Sequence, residues 1–76
     1  MKDIKEIQKI FSERLQELIT ENNLNDSKLA KATGIPRTTF TGWAHCYRTP
    51  QIDSLCIIAD YFGVSVDYLL GREELR

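Results

Sequence analysis

Arg37, Thr38 and Thr41 are the residues of this chain best suited to chemistry, and the chemistry is hydrogen bonding rather than bond making. A guanidinium offers a planar fork of donors, and a hydroxyl can donate or accept. Phe40 and Trp43, three residues apart, give the same segment a buried edge if it is helical, which leaves Arg37, Thr38 and Thr41 on the outward face. Covalent catalysis has no comparable set. The chain holds one histidine, His45, and two cysteines, Cys46 and Cys56, with no Gly-rich phosphate loop and no carboxylate pair. A nucleophile, a base and an orienter cannot be assembled from these, so no enzyme is expected. The same counts give neither a disulfide framework nor a metal-ligand set. No cofactor and no metal are therefore expected, and a reducing cytoplasm is the default.

The segment that must position these groups runs from Asn25 to Trp43, NDSKLAKATGIPRTTFTGW. It reads as a short helix, a Gly-centred turn and a second short helix. Asn25 is a good N-cap, and Asp26 suits the positive end of the helix dipole. Leu29 and the small Ala30 supply an apolar face, and Gly34 supplies the left-handed residue that ends the helix. Ile35 packs in the turn. Pro36 suits the entry of the next helix, where no N–H is needed. Two helices of about two turns joined by so short a turn have the plan of a helix-turn-helix. Charge agrees: from Ser27 to Gln51 there is no acid, and the window holds Lys28, Lys31, Arg37 and Arg48. From Ile52 to Leu70 there are Asp53, Asp60 and Asp67 and no base. The chain as a whole carries a net charge of −1, so the asymmetry and not the bulk charge points to a polyanionic partner.

The remaining elements follow from periodicity. Ile4, Ile7, Phe11, Leu15 and Leu18 recur at three- and four-residue spacing, widened by Ile10 and Ile19, which predicts one long first helix ending near Asn22 or Asn23. His45 to Pro50 reads as a loop. A helix over Ile52 to Phe62 follows, with Leu55, Ile58, Ala59 and Phe62 inward and Gly63 at its end. Ser65 caps a last short helix, Val66 to Leu70, stopped by Gly71. The fold class is all-α, five helices and no strand. The 76 residues read as a single helix-turn-helix domain over 1–76, with the helix-turn-helix unit at about 25–44. So short a chain buries only about 60% of its unfolded surface. No run approaches the ~18 apolar residues of a membrane span, and the charged start MKDIKEIQKIF is no secretory signal. Met1 and the lack of a second domain suggest a complete small protein.

The order FSERLQEL, LNDSKLAKATGIPRTTFTGW, RTPQIDSLCIIADYFGVSVDYLLG resembles the phage-repressor, or Cro/XRE, type of helix-turn-helix DNA-binding family. The resemblance spans Phe11 to Gly71. It rests on several spaced features together, among them Leu29-Ala30, Gly34-Ile35, Trp43, Arg48-Thr49-Pro50 and Gly63-Val64-Ser65. It implies a five-helix, lambda-repressor-like domain whose third helix enters the major groove while the second crosses the backbone. Carried over by position, the base-reading slots are Arg37, Thr38, Thr41 and Gly42. Arg37 can pair bidentately with guanine O6 and N7, a contact of about 1–3 kcal/mol of discrimination. Gly42 offers no side chain and weakens its helix by about 1 kcal/mol against Ala. The phosphate slots are Asn25, Ser27 and Lys28 at the start of the second helix, and His45, Tyr47 and Arg48 after the third.

Three departures stand out. Asp26 occupies a position where the family often has Gln. Ile19 and Ala44 replace an Arg–Glu ion pair, a paired loss that strands no buried charge. Cys46 stands where Gly is usual, which predicts altered loop geometry. Trp43 is expected in the core and Cys56 as a small packed hydrophobe. Ile57, Tyr61, Tyr68 and Leu70 form an expected exposed apolar patch suited to a homodimer, with Ile4 and Ile7 as a rival surface. The resemblance implies a sequence-specific, double-stranded-DNA-binding transcriptional regulator, a small dimeric bacterial or phage repressor reading a palindromic operator, cytoplasmic and without membrane attachment. The alternative is a protein-interaction module such as an antitoxin that binds a partner protein as well as DNA, toward which the low net charge, Asp26 and Gly42 lean.

Overall fold

Asp3 opens the first helix: its carboxylate accepts from the Glu6 N–H at 2.9 Å. The computed structural model describes residues 3–76; Met1 and Lys2, the first residues of the charged amino-terminal stretch, lie outside the described residues. Five helices follow in order: α1 Ile4–Glu21, α2 Asp26–Thr33, α3 Arg37–Ala44, α4 Ile52–Phe62 and α5 Val66–Leu69. No strand occurs among the described residues. Apolar spacing in the longer helices and cap and stop residues in the short ones located all five. α1 ends with Asn23 in the left-handed region (φ 54°), which lets the Leu24 N–H reach back to the Ile19 carbonyl at 3.0 Å. Asn25 caps α2 by accepting from the Lys28 N–H at 2.8 Å, and Gly34 (φ 77°) ends it.

The core is one apolar cluster that draws on all five helices. Phe11, Leu15, Leu18 and Ile19 come from α1, Leu29 from α2, Ile35 from the turn, Phe40 and Trp43 from α3, Ile58 and Ala59 from α4, and Tyr68 and Leu69 from α5. Trp43 is packed as expected. The first member of the α1 stripe is not: Ile4 is 71% exposed, because it lies a turn short of the packed elements, and Ile7 is half-buried. Cys56 is also exposed rather than packed, since Leu55, Ile58, Ala59 and Phe62 turn the opposite face of α4 inward.

Two arginines bind the carboxyl end to α1. Arg14 donates from one Nη to the Tyr68 and Glu73 carbonyls, and its guanidinium lies 4.3 Å from the centre of the Tyr68 ring. Arg76 grips both carboxylate oxygens of Glu21 at 2.6 Å. Those hydrogen bonds, helped by the attraction of the same guanidinium, hold the Glu21 carboxyl below its ordinary pKa.

The loop after α3 turns on one left-handed residue. Cys46 adopts φ 58°, the left-handed conformation that a glycine would take there. The turn is closed by the Cys46 N–H on the Trp43 carbonyl at 3.1 Å and the Tyr47 N–H on the Gly42 carbonyl at 2.8 Å. A residue with a side chain thus bears the strain of a left-handed turn. Cys46→Gly should raise stability by about 0.5–1 kcal/mol, the αL strain relieved less the extra chain entropy of glycine. Urea unfolding reads this directly, and a loss of stability would mean that the thiol makes a favourable contact. The Glu21 carboxyl should titrate below the ordinary glutamate value of about 4.3 in a carbon-detected NMR titration. Its pKa is depressed on folding, so the contribution of the Arg76 link is present above the unfolded value and is lost as pH falls through the folded one. Arg76→Ala should return the midpoint to the ordinary range.

Candidate nucleic-acid interface

α3 is eight residues long and is anchored along one edge only. Phe40 and Trp43 are buried, and the Trp43 ring meets Phe11 of α1 and Phe40 edge-on, at centroid distances of 5.4 and 5.2 Å. The opposite edge carries Arg37, Thr38 and Thr41, all exposed. A shallow groove of about 480 Å³ runs beside that ridge, and its walls bring together Asn25, Asp26 and Ser27 of the α2 start with Arg37 and Thr41. Residues that the sequence separates by a dozen positions thus share one surface.

Each expected residue can now be placed. Arg37 is exposed, and the ion pairs among the described residues engage Arg14, Arg72 and Arg76 instead. None of the four bases of the acid-free window takes part in one. The side-chain oxygen of Asn25 is committed to capping, so what α2 offers an anion is the N–H groups at its start, flanked by exposed Ser27 and Lys28. His45 and Tyr47 are exposed with their rings stacked, 5.5 Å between centroids and 25° between planes. Arg48 is exposed and lies across Gly42.

That last contact corrects the base-reading slot at Gly42. The glycine is buried, not open on the ridge, because the Arg48 side chain covers it. The carboxyl-terminal patch needs correction too. Ile57 and Tyr61 are 40% and 43% exposed and share a face of α4, whereas Tyr68 is 6% exposed and Leu70 is half-buried. The Tyr68 ring is withdrawn by α5 packing on α1 and by the cation of Arg14 against its face. A four-residue helix is too short for spacing to reveal which side is inner.

Two positioning contacts gave no sequence signal. Buried Ser12 donates its hydroxyl to the Ala44 carbonyl at 3.2 Å, and Gln8 donates to the Thr49 hydroxyl at 2.7 Å. Both are polar residues of α1 outside the apolar stripe that marked the helix. The Ser12 bond ties α1 to the end of α3, and Ile19 joins the core as an apolar residue.

Asp26 is the one acid on the groove, half-buried in the first turn of α2 and not ion-paired with Arg37. Among the described residues no group of three or more His, Cys, Asp or Glu is placed to hold a metal, and no helix is long and apolar enough to cross a membrane.

A short second helix laid across a third whose outer ridge is free, inside a five-helix cluster, defines a helix-turn-helix domain. The chain belongs to the Cro/C1-type HTH DNA-binding domain family, which it matches over residues 14–74. It is 38% identical over 65 residues to the HTH-type transcriptional activator BcrR of Enterococcus faecalis, covering 86% of this chain and 32% of that protein. It is 37% identical over 64 residues to the HTH-type transcriptional regulator AnsR of Bacillus subtilis (strain 168), covering 84% and 55%. The chain therefore spans a third to a little over half of these curated relatives. The solution structure of the SOS-response transcriptional repressor LexA from Eubacterium rectale superposes with a TM-score of 0.82 at 27% identity, covering 97% of this chain and 80% of that one. The family is one of DNA-binding domains, not of enzymes.

If this groove takes the DNA backbone, Asp26→Asn should raise affinity for any duplex several-fold, because it removes a negative charge from beside the phosphates. Stability should fall by about 0.3–1 kcal/mol, since a carboxylate is lost from a helix start. Fluorescence anisotropy at fixed salt measures the first effect. Weaker binding would mean that the carboxylate itself accepts a hydrogen bond from DNA.

Proposed function

We propose that this protein is a sequence-specific transcriptional regulator of bacterial or phage origin, acting in the cytoplasm as a homodimeric repressor on a two-fold symmetric operator. The observation that carries the reading is the division of α3: one edge sealed by Phe40 and Trp43, the other presenting an unpaired guanidinium and two hydroxyls. Laid in a major groove, Arg37 reaches guanine O6 and N7, and Thr38 and Thr41 reach an acceptor edge or a thymine methyl. The start of α2, with Ser27 and Lys28, and the loop with His45 and Tyr47 then face the phosphates on either side, where N–H groups and cations fix register without reading sequence. Repression needs only that the operator be occupied.

Ile57 and Tyr61 on the outer face of α4 supply the apolar surface for a second copy in this reading. Symmetry doubles the number of base contacts, which a single eight-residue helix cannot otherwise multiply. Phosphate contacts release counterions, so affinity should fall with salt, with a slope set by the few cations that face the backbone.

Selection of random-sequence duplexes followed by sequencing tests the whole reading. The expected motif is an imperfect palindrome with half-site centres about 10–10.5 bp apart. Arg37→Ala should weaken binding to the selected duplex by about 1–3 kcal/mol and leave the melting temperature unchanged. Tyr61→Glu should leave half-site preference intact and abolish the paired spacing. A variant at 37 that unfolds would make that arginine structural, and an unsymmetric motif would rule out the dimer.

A further inference from the structure

Position 42 lies one turn beyond Thr38 on the same edge of α3, and glycine there leaves bare helix backbone. The bare stretch is not open. A Cβ built on Gly42 would stand 3.0 Å from Cδ of Arg48, 3.2 Å from Cγ and 3.4 Å from Nε. The arginine stem therefore fills the volume that a side chain at 42 would claim. Its origin is fixed on both sides: the Tyr47 N–H donates to the Gly42 carbonyl at 2.8 Å, and Gln8 donates to the Thr49 hydroxyl at 2.7 Å. Arg48 is nonetheless exposed and takes part in no ion pair among the described residues.

We propose that Arg48 is a specificity-determining residue, a second base-reading guanidinium delivered from the loop into the place that Gly42 leaves empty, and that Gly42 is its positioning residue. The inference rests on the proposed reading of DNA by α3, and it replaces the phosphate role that the loop position alone suggests. A phosphate contact asks only for a cation within reach of the backbone. An arginine laid flat along the recognition helix is placed differently, because its stem ends where the base-facing side chain of residue 42 would begin. Its methylenes cover the glycine backbone while the fork stays in water. Packing the stem restricts its rotamers before binding, so less freedom is lost when the fork meets a base. The ligand chemistry is the O6/N7 edge of guanine, next to the base pair that Thr38 faces.

The strained loop and the glycine make sense together on this account. Glycine weakens a helix interior, and a left-handed Cys46 strains the turn. Each feature is needed if the chain after α3 is to double back and lay Arg48 on the helix. A side chain at 42 would displace the exposed stem of Arg48 rather than the core, so the fold tolerates the change.

The test compares the motifs that the full chain selects from random duplexes with those of Arg48→Ala, Arg48→Lys and Gly42→Ala, each checked for an unchanged or higher melting temperature. Arg48→Ala should flatten one column per half-site by about ten-fold and leave the other columns intact. Arg48→Lys should flatten the same column in part, since an ammonium lacks the fork. Gly42→Ala should flatten the same column by pushing the stem aside, and the double variant should lose no more than Arg48→Ala alone. A uniform loss across all columns in Arg48→Ala, with the slope of log affinity against log salt reduced by about one, would make Arg48 a phosphate contact and overturn the proposal. Loss of any motif by the unaltered chain would instead overturn the proposed function on which it rests.

Discussion

The edge-on packing of Trp43 against Phe11 and Phe40 sets the orientation of everything this protein offers to a partner. An eight-residue helix is too short to hold its shape or its rotation alone. α3 borrows both from the core. Rotation by one residue, about 100°, would pull Trp43 out and drive polar side chains toward Phe11 and Leu15. Neither step is tolerable, so the rotation of α3 has one solution. Arg37, Thr38 and Thr41 then face outward by subtraction, since no other edge is left to them. The Ser12 bond to the Ala44 carbonyl completes the constraint at the far end, where a helix leaves carbonyls without partners.

Much of this was readable in the chain because it depends on local rules. Gly34 and Gly63 both take the left-handed conformation expected of them, and Asn25 and Ser65 both cap the helices they precede. The bounds of α4 were readable for the same reason: a Pro50-containing loop before it, an apolar stripe within it and Gly63 after it. Phe40 and Trp43 announced the inner edge of α3 through their spacing. The readings that failed concern contacts between distant segments. Tyr68 looked free because a single turn of α5 carries no periodicity, and the cation that covers its face comes from α1. Gly42 looked like an empty slot because nothing in the local sequence says that Arg48 folds back upon it. Ser12 and Gln8 drew no reading from the sequence, and they are the hooks for the end of α3 and the loop that follows. Cys46 takes the left-handed conformation that suits the glycine usual there, and backbone hydrogen bonds on either side hold it.

Electrostatics gives the last step. With a net charge of −1, this chain cannot rely on bulk attraction to a polyanion. On the proposed reading most of its acids lie off the interface: Glu13, Glu17 and Glu21 line the outer side of α1, and Asp60 and Asp67 lie in the carboxyl-terminal half, whereas Asp26 stands on the groove and Asp53 shares a pocket with Arg48. Among the described residues the four bases of the window from Ser27 to Gln51, Lys28, Lys31, Arg37 and Arg48, take part in no ion pair, and neither do Lys5 and Lys9 of α1. Sequence-independent affinity for DNA comes almost entirely from phosphate neutralisation. A protein with few free cations and acidic flanks has little of it. Discrimination is the ratio of specific to non-specific binding, and a low denominator raises that ratio as surely as a high numerator. On the proposed reading, the near-neutral charge is therefore consistent with a sequence reader: it suppresses binding elsewhere and leaves base-edge contacts from α3 to decide where the protein stays.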